Sequence, residues 1–349
     1  MKTKVYAGFD VTKLVLAVFV VCIHTHPFLG TTNKFLLFCT QYGFHLAVPF
    51  FYAMAGFLLF NKTKELPLLE SISSIWKYLF QIIKLYIIWS IVYLPAAIYG
   101  YHQLGYSVQF SVTQYIKDFI FLGEHHLSWP LWYLLGTIYG LLFIMLMIKL
   151  QLPKWSMLLC GYALYWLSLY IDANVLNADQ FNGVTGLMLK TVLHTIRNGR
   201  LLTSVLFITI GMLIARSKWL IHVDMQYRIL FFVYILAWFM IRPEGYGQWF
   251  VKPAVVFYGM WCLSAIQVES KPIFAKLRET STIFYFTHML FVFLWSLYTG
   301  EMYPEGLSCF AFTLSGCLIT TFFVLFFSNK KFLSVKCKPV YNYVKKRCQ

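Results

Sequence analysis

The chain has 349 residues, of which 60% are hydrophobic, 20% are aromatic and only 12% are charged. Soluble domains carry about 25% charged residues, so this composition excludes an ordinary soluble domain and indicates a protein with several membrane spans. The formal net charge is +16, but the basic residues flank the apolar runs and collect at the C-terminus. That distribution is typical of topology signals and of contact with anionic membrane lipid, and it argues against a nucleic-acid partner.

Apolar runs of about 20 residues, the length that crosses a bilayer, recur along the chain. We therefore predict an all-α membrane bundle of about ten transmembrane helices. These helices form one transmembrane domain, 1–329, which a basic tail, 330–349, follows. The predicted spans are 10–29, 43–60, 76–99, 131–148, 155–171, 201–215, 228–241, 249–266, 282–299 and 307–327.

The basic residues predict the orientation of the bundle. Ten spans place both termini on the same side, and with a cytoplasmic N-terminus twenty of the 29 lysines and arginines lie inside and seven outside. This excess of positive charge inside is the expected bias, so we predict that both termini are cytoplasmic. The longest loops, about 100–130 and 172–200, are then outside. We expect an amphipathic or re-entrant segment in them, for example Val112–Leu122.

The first span carries ionisable side chains on one face. Lys13 and His24 are eleven residues apart, nearly three full helical turns, and Asp10 lies three residues before Lys13. Each such group in hydrocarbon costs about 2.5–3.5 kcal/mol on insertion scales, so this stripe is expected to face the bundle interior or a wet cavity. His24 is a candidate general base and Lys13 a cation for an anionic ligand. The alternatives are a hydrogen-bonded core histidine and a lysine that snorkels to the head groups.

Polar and aromatic residues near the predicted outer ends of other spans are candidates for substrate contact. His45 is expected at a depth similar to that of His24, and Trp132 belongs to an aromatic cluster that is also typical of an interfacial belt. Arg197 and Asn198 open the sixth span and suit either an anion or sugar hydroxyl or a plain interfacial anchor. His288 is placed in the cytoplasmic half of the ninth span, away from the depth of His24.

The sequence does not favour a metal site. The eight cysteines are scattered through apolar runs, with neither metal-ligand spacing nor a disulfide framework. His125 and His126 are adjacent, which demands special geometry and further ligands. We therefore expect no metal.

Several segments, in order, resemble the acyltransferase-3 family of bacterial integral membrane acyltransferases. The family's first span reads Asp-x-x-Arg, ten residues and then His, and here lysine replaces the arginine. The family's second span carries an arginine where this chain has histidine. The segments that carry the resemblance are Asp10, Lys13 and His24; His45 to Tyr52 with Ala55 and Gly56; Trp132 to Leu134; Arg197 to Gly199 with Gly211; and Ile283 to His288.

The resemblance implies transfer of an acyl group, usually acetyl from acetyl-CoA, to a hydroxyl of a cell-envelope glycan or lipid-linked sugar. It implies a multi-pass protein of the bacterial cytoplasmic membrane. The membrane half of vancomycin-resistance serine/alanine racemases has the same plan and is linked to amino-acid uptake. A transporter of a small substrate therefore remains an alternative, as does a binding or assembly subunit.

Taken with the residue chemistry, the resemblance predicts three groups of site residues. Asp10, Lys13 and His24 are the predicted catalytic residues, with Lys13 also binding the cofactor. His288 is the second predicted cofactor contact. The predicted substrate-binding residues are His45, Trp132, Arg197 and Asn198. Lysine lacks the planar two-pronged grip of arginine, so the change at position 13 bears directly on how the anionic donor is held.

Overall fold

A computed structural model describes residues 4–174, 183–184, 186, 188, 200–217, 220, 222–242, 244–245 and 247–328. Two short strands, β1 (Lys4–Val5) and β2 (Val268–Glu269), pair antiparallel. The longer helices of these residues are α1 (Ala7–Thr25), α2 (Lys34–Phe38), α3 (Ala47–Asn61), α4 (Ile72–Val92), α5 (Leu94–Gln103), α6 (Val108–Phe121), α7 (Leu131–Lys149), α8 (Lys154–Asn174), α9 (Arg200–Arg216), α10 (Met225–Ile241), α11 (Lys252–Ala265), α12 (Pro272–Thr299) and α13 (Leu307–Ser328).

The predicted helical membrane fold is confirmed. In the described parts of the chain, a helix lies on each of the ten predicted apolar runs. Among the described residues, six helical segments are long and apolar enough to cross a membrane: Ala7–Thr25, Lys34–Asn61, Leu68–Val92, Leu131–Lys149, Pro272–Thr299 and Leu307–Phe327. The helices α8 to α11 fall short of that criterion, so the count of ten spans stays a prediction. The cytoplasmic termini also stay a prediction, and the tail 330–349 lies outside the described residues.

At three helix ends the structure departs from the approximate predicted limits. The first helix ends at Thr25 and not at 29, because His26 adopts a left-handed conformation (φ 44°) directly before Pro27. The third ends at Val92, and α5 follows with Pro95 in its first turn, where proline costs no hydrogen bond. The ninth begins ten residues before the predicted limit of 282, at Pro272.

The loop 100–130, which the sequence predicts to lie outside, contains the amphipathic segment predicted around Val112–Leu122. The helix is α6, and the hydroxyl of Tyr86 in α4 donates to the carbonyl oxygen of Phe119 at 2.6 Å. Four of the six exposed large apolar residues of α6 recur every fourth position, at Val108, Val112, Ile116 and Ile120. This spacing puts them on one face, turned away from the bundle.

Helices α3 and α9 pack backbone to backbone at the centre of the bundle. A Cβ atom added at Gly211 would overlap the carbonyl oxygen of Ala53, and one added at Gly56 would overlap that of Ile208. Small residues let membrane helices approach in this way, and the sequence predicts such a contact at Gly56. This contact supports the two helices whose outer ends line the cavity described below.

We expect Gly211→Ala to destabilise the protein strongly, because even one methyl group forces α3 and α9 apart. The measurement is the melting temperature of the detergent-purified protein. The matched control is Gly43→Ala, since the nearest atom to a Cβ there is 3.7 Å away. A Gly211→Ala protein that melts within a degree or two of the Gly43→Ala protein would contradict this packing.

Candidate active site

A cavity of about 590 Å³ lies at one end of the bundle. The C-terminal ends of α1 and α8 and the N-terminal ends of α3, α7, α9 and α11 contribute to its wall. These helices therefore alternate in direction, as the sequence predicts. With a cytoplasmic N-terminus, the cavity faces the outside.

The cavity brings together three predicted site residues from distant parts of the chain. His24, His45 and Trp132 all line it. His45 belongs to a 3₁₀ turn, Phe44–Leu46, that follows a π-helical turn, Cys39–Gly43, and such irregular turns are frequent at functional sites. The predicted residues Arg197 and Asn198 lie outside the described residues.

The cavity wall also contains charged residues that the sequence analysis did not assign to a site. Arg200 lies over the ring of Trp132, with 5.6 Å between guanidinium carbon and ring centroid, and 3.3 Å separate its Nη1 from Oε2 of Glu124. Lys252 and Asp172 line the wall as well. In the sequence, Arg200 and Lys252 are simply two of the seven basic residues predicted outside. Nothing in their local sequence indicates that α9 and α11 begin at a shared cavity.

The imidazole of His24 stands between two rings and between two cavities. Its ring centroid is 5.5 Å from that of Trp129 and 5.4 Å from that of His288. A second cavity, of about 280 Å³, shares His24 and is bordered by Tyr303 and Glu305 from the segment between α12 and α13. Groups that enter either cavity therefore meet the same imidazole.

The predicted depth of His288 is wrong. Asp10 contacts Arg278 and, further along both helices, His24 contacts His288, so α1 and α12 run side by side in the same direction. His24 is the eighteenth residue of α1 and His288 the seventeenth of α12, which puts them at the same height. The hydropathy of 282–299 does not reveal that His24 and His288 lie at the same height, because α12 begins about three turns earlier, in polar sequence.

Asp10 forms an ion pair that the sequence analysis missed. Its oxygens accept from Nε and Nη2 of Arg278 in α12, both at 2.9 Å, and Asp10 is only 4% exposed. The two residues are 268 positions apart, so no local pattern signals the pair. Since Asp10 and His24 both contact α12, the prediction that they share one face of α1 is confirmed.

Lys13 lies at the other end of α1 from the cavity. Eleven residues separate it from His24, about 16 Å along the helix. Between them, Ala17 packs with Phe284 of α12 and Cys317 of α13, and all three side chains are buried. We call these three residues the apolar layer. They lie between the ion-paired end and the histidine end of the contact between α1 and α12.

The histidines before α7 are packing residues. The ring of His125 stacks on Tyr115 at 4.0 Å between centroids, and burial lowers the pKa of His125 to about 4. A Cβ on Gly100 would overlap the ring of His126. Across the described residues, no three His, Cys, Asp or Glu side chains are grouped to hold a metal ion.

Comparison with known families matches residues 6–329 to an acyltransferase domain. The chain belongs to the acyltransferase-3 family. This acyltransferase is also similar to an amino-acid racemase of Enterococcus faecalis, with 27% identity over 142 residues. The similar region is 41% of this chain and 19% of the racemase, so it spans about a fifth of that relative. No solved structure gives a significant match.

We expect Arg278→Met to lower the free energy of unfolding by about 1–3 kcal/mol, because it leaves the buried carboxylate of Asp10 without its partner. The double variant Asp10→Leu/Arg278→Met should recover part of that loss, since it removes both charges. The measurement is thermal unfolding in detergent.

Lys276→Met is the control for this pair, because it removes an exposed positive charge from the same helix. An Arg278→Met protein as stable as the Lys276→Met protein would show that the ion pair does not hold α1 against α12.

Proposed function

We propose that this acyltransferase moves an acyl group, acetyl in the simplest case, from cytoplasmic acyl-CoA to a hydroxyl of a cell-envelope glycan or lipid-linked sugar. The protein would act in the bacterial cytoplasmic membrane. The observation that carries the proposal is the position of His24, an imidazole in the wall of a polar and aromatic cavity at the predicted outer end of the bundle.

The composition of the cavity wall supports a sugar acceptor. Trp129, Trp132, Tyr133 and Tyr165 supply aromatic faces, against which the apolar C–H face of a sugar ring packs. Carboxylates accept hydrogen bonds from sugar hydroxyls, and amides both accept and donate them. The wall contains both kinds: Glu124, Asp172, Gln41 and Gln248. A site with apolar faces and a few placed polar groups fixes the orientation of a ligand.

The ionic end of α1 supports an anionic donor. Both oxygens of Asp10 are taken by Arg278. Lys13 lies near Asp10 without a direct ion pair to it in the described residues, and in this proposal its ammonium meets the phosphates of CoA. Lysine binds phosphate as a point charge, without the bidentate geometry of the family's arginine.

The proposed chemistry is general-base acyl transfer. His24 takes the proton of the acceptor hydroxyl, and the oxygen attacks the thioester carbonyl carbon. A new C–O bond forms and the C–S bond breaks. The proton on His24 then passes to the departing thiolate, which leaves as free CoA, so the imidazole returns to its starting state.

The apolar layer has a defined part in this scheme. It keeps water at the outer cavity away from the cytoplasmic side, which protects a thioester from hydrolysis. The pantetheine arm must pass this level to reach His24, so the proposal requires Ala17 and Phe284 to separate, or another path between helices to open, when acyl-CoA binds.

One observation favours a second candidate function. A cavity at one end of a bundle, with packed apolar residues towards the other, is also the arrangement of a transporter caught facing one side. Uptake of a small substrate such as an amino acid is therefore the competing proposal. Turnover of acyl-CoA in detergent, where no gradient exists, separates the two.

We expect His24→Ala to reduce acyl transfer by 10²- to 10⁴-fold, the usual contribution of a general base, while acetyl-CoA still binds. The measurement is transfer of radiolabelled acetyl groups to envelope glycan in membranes. His222→Ala is the control, because His222 is exposed and lies before α10, at the other end of the bundle. Transfer by His24→Ala within threefold of the parent would defeat the catalytic assignment.

We expect Lys13→Ala to weaken acetyl-CoA binding by about tenfold and Lys13→Arg to preserve it, because the phosphates need a cation at this position. Calorimetric titration of the purified protein measures both. Lys84→Ala controls for loss of a lysine from another apolar helix, on an exposed face of α4. Equal affinities in Lys13→Ala and Lys84→Ala would remove Lys13 from the donor site.

A further inference from the structure

The tautomer of His288 is fixed by its own helix. Its side chain is fully buried, and Nδ1 lies 2.9 Å from the carbonyl oxygen of Phe284. A carbonyl oxygen only accepts hydrogen bonds, so Nδ1 must carry the proton. In the neutral ring, Nε2 therefore presents a lone pair.

This lone pair has no partner among the described residues. A buried acceptor without a hydrogen bond is unfavourable and rarely persists without a use. The neighbouring tyrosines are engaged elsewhere: the hydroxyl of Tyr285 donates to the carbonyl oxygen of Pro130, and that of Tyr93 to the carbonyl oxygen of Phe286. The imidazole of His24 is a further polar neighbour of His288.

The two imidazoles are stacked in this structure, without a hydrogen bond between them, at a separation from which a turn of the His24 ring would form one. Their centroids are 5.4 Å apart and their planes differ by 29°. An imidazole nitrogen lies roughly 1.1 Å from its ring centre, so rings at this separation bring two nitrogens to about 3.2 Å once they turn edge-on, which is within hydrogen-bond range. Trp129 lies 5.5 Å from His24 on another side and limits how far its ring can turn.

From this geometry we infer that His288 is a positioning residue for His24. Its Nε2 accepts the N–H of His24, which fixes the tautomer that leaves the other nitrogen of His24 bare towards the acceptor hydroxyl. This inference rests on the proposed function. When His24 takes the hydroxyl proton, its imidazolium N–H keeps this bond to His288, and the proton later leaves with the thiolate.

A neutral partner suits this depth of the membrane. In soluble hydrolases, a carboxylate usually orients the catalytic histidine and stabilises its charged form. A carboxylate within hydrocarbon would carry a desolvation cost, whereas a neutral imidazole supplies the same acceptor without a permanent charge. The carbonyl oxygen of Phe284 accepts from His288 and holds it in one tautomer. In the same way, His288 accepts from His24 and holds that ring in one tautomer.

The kinetic test compares two substitutions. His288→Met fills the volume without an acceptor, and we expect kcat to fall about 100-fold while KM for acceptor and donor stays within threefold. His288→Gln places an amide oxygen near the position of Nε2, and we expect it to keep at least a tenth of parental kcat. Met289→Leu, an equally buried neighbour, is the control and should be unchanged.

Three kinetic results would overturn the inference. The first is His288→Met with kcat within threefold of the parent. The second is a rise in KM at constant kcat, which assigns His288 to direct substrate contact. The third is equal loss in folded His288→Gln and His288→Met, which shows that accepting a hydrogen bond is not the role of the ring.

A spectroscopic test does not depend on acyl transfer. In ¹⁵N-histidine-labelled protein, the His24 signals, assigned with His24→Ala, should report one tautomer in the parent and a mixture in His288→Met. An unchanged tautomer in His288→Met overturns the positioning role. A shift to a mixture in a protein that transfers no acyl group would support the positioning role while refuting the proposed function.

Discussion

The register of α1 against α12 is the constraint on which the site depends. The pairing of β1 with β2 starts the two helices at the same level, and the bidentate contact between Asp10 and Arg278 holds them there. Helices rise 1.5 Å per residue and bend little over such lengths, so contact at one end determines contact at the other. The ion pair lies about four turns before His24 in α1 and about three turns before His288 in α12, and it helps to hold the register in which the two histidines meet.

The chemical character of the side chains changes along the length of α1 and α12. Charged groups occupy the ion-paired end, buried apolar side chains occupy the apolar layer, and histidines with a polar cavity occupy the far end. A thioester and a sugar hydroxyl have opposite needs, because one must avoid water and the other arrives hydrated. Entry of the two substrates from opposite ends, which the proposed function requires, is compatible with this division.

Some of this arrangement follows from sequence and some does not. Asp10 and His24 share a face because helical periodicity is a local property, and the close contact at Gly56 follows from its size. The predicted depth of His288 was wrong, because a hydropathy window finds the apolar part of a helix and not its first residue. From sequence alone, Arg278 and Arg200 indicate only membrane topology. Their side-chain partners are far away in sequence and therefore leave no local pattern.

The ion pair also bears on the exchange of arginine for lysine at position 13. In a helix interior next to Asp10, a lone cation would be expected to pair with that carboxylate. Arg278 already donates to both carboxylate oxygens, so Asp10 has a positively charged partner besides Lys13. In the proposed function, what the position then requires is a positive charge that an anionic donor can meet from the predicted cytoplasmic end. A point charge satisfies that requirement, whereas the planar fork of arginine matters only where two oxygens must be held in a fixed plane. The two-pronged geometry in this part of the protein is supplied by Arg278, on the partner helix.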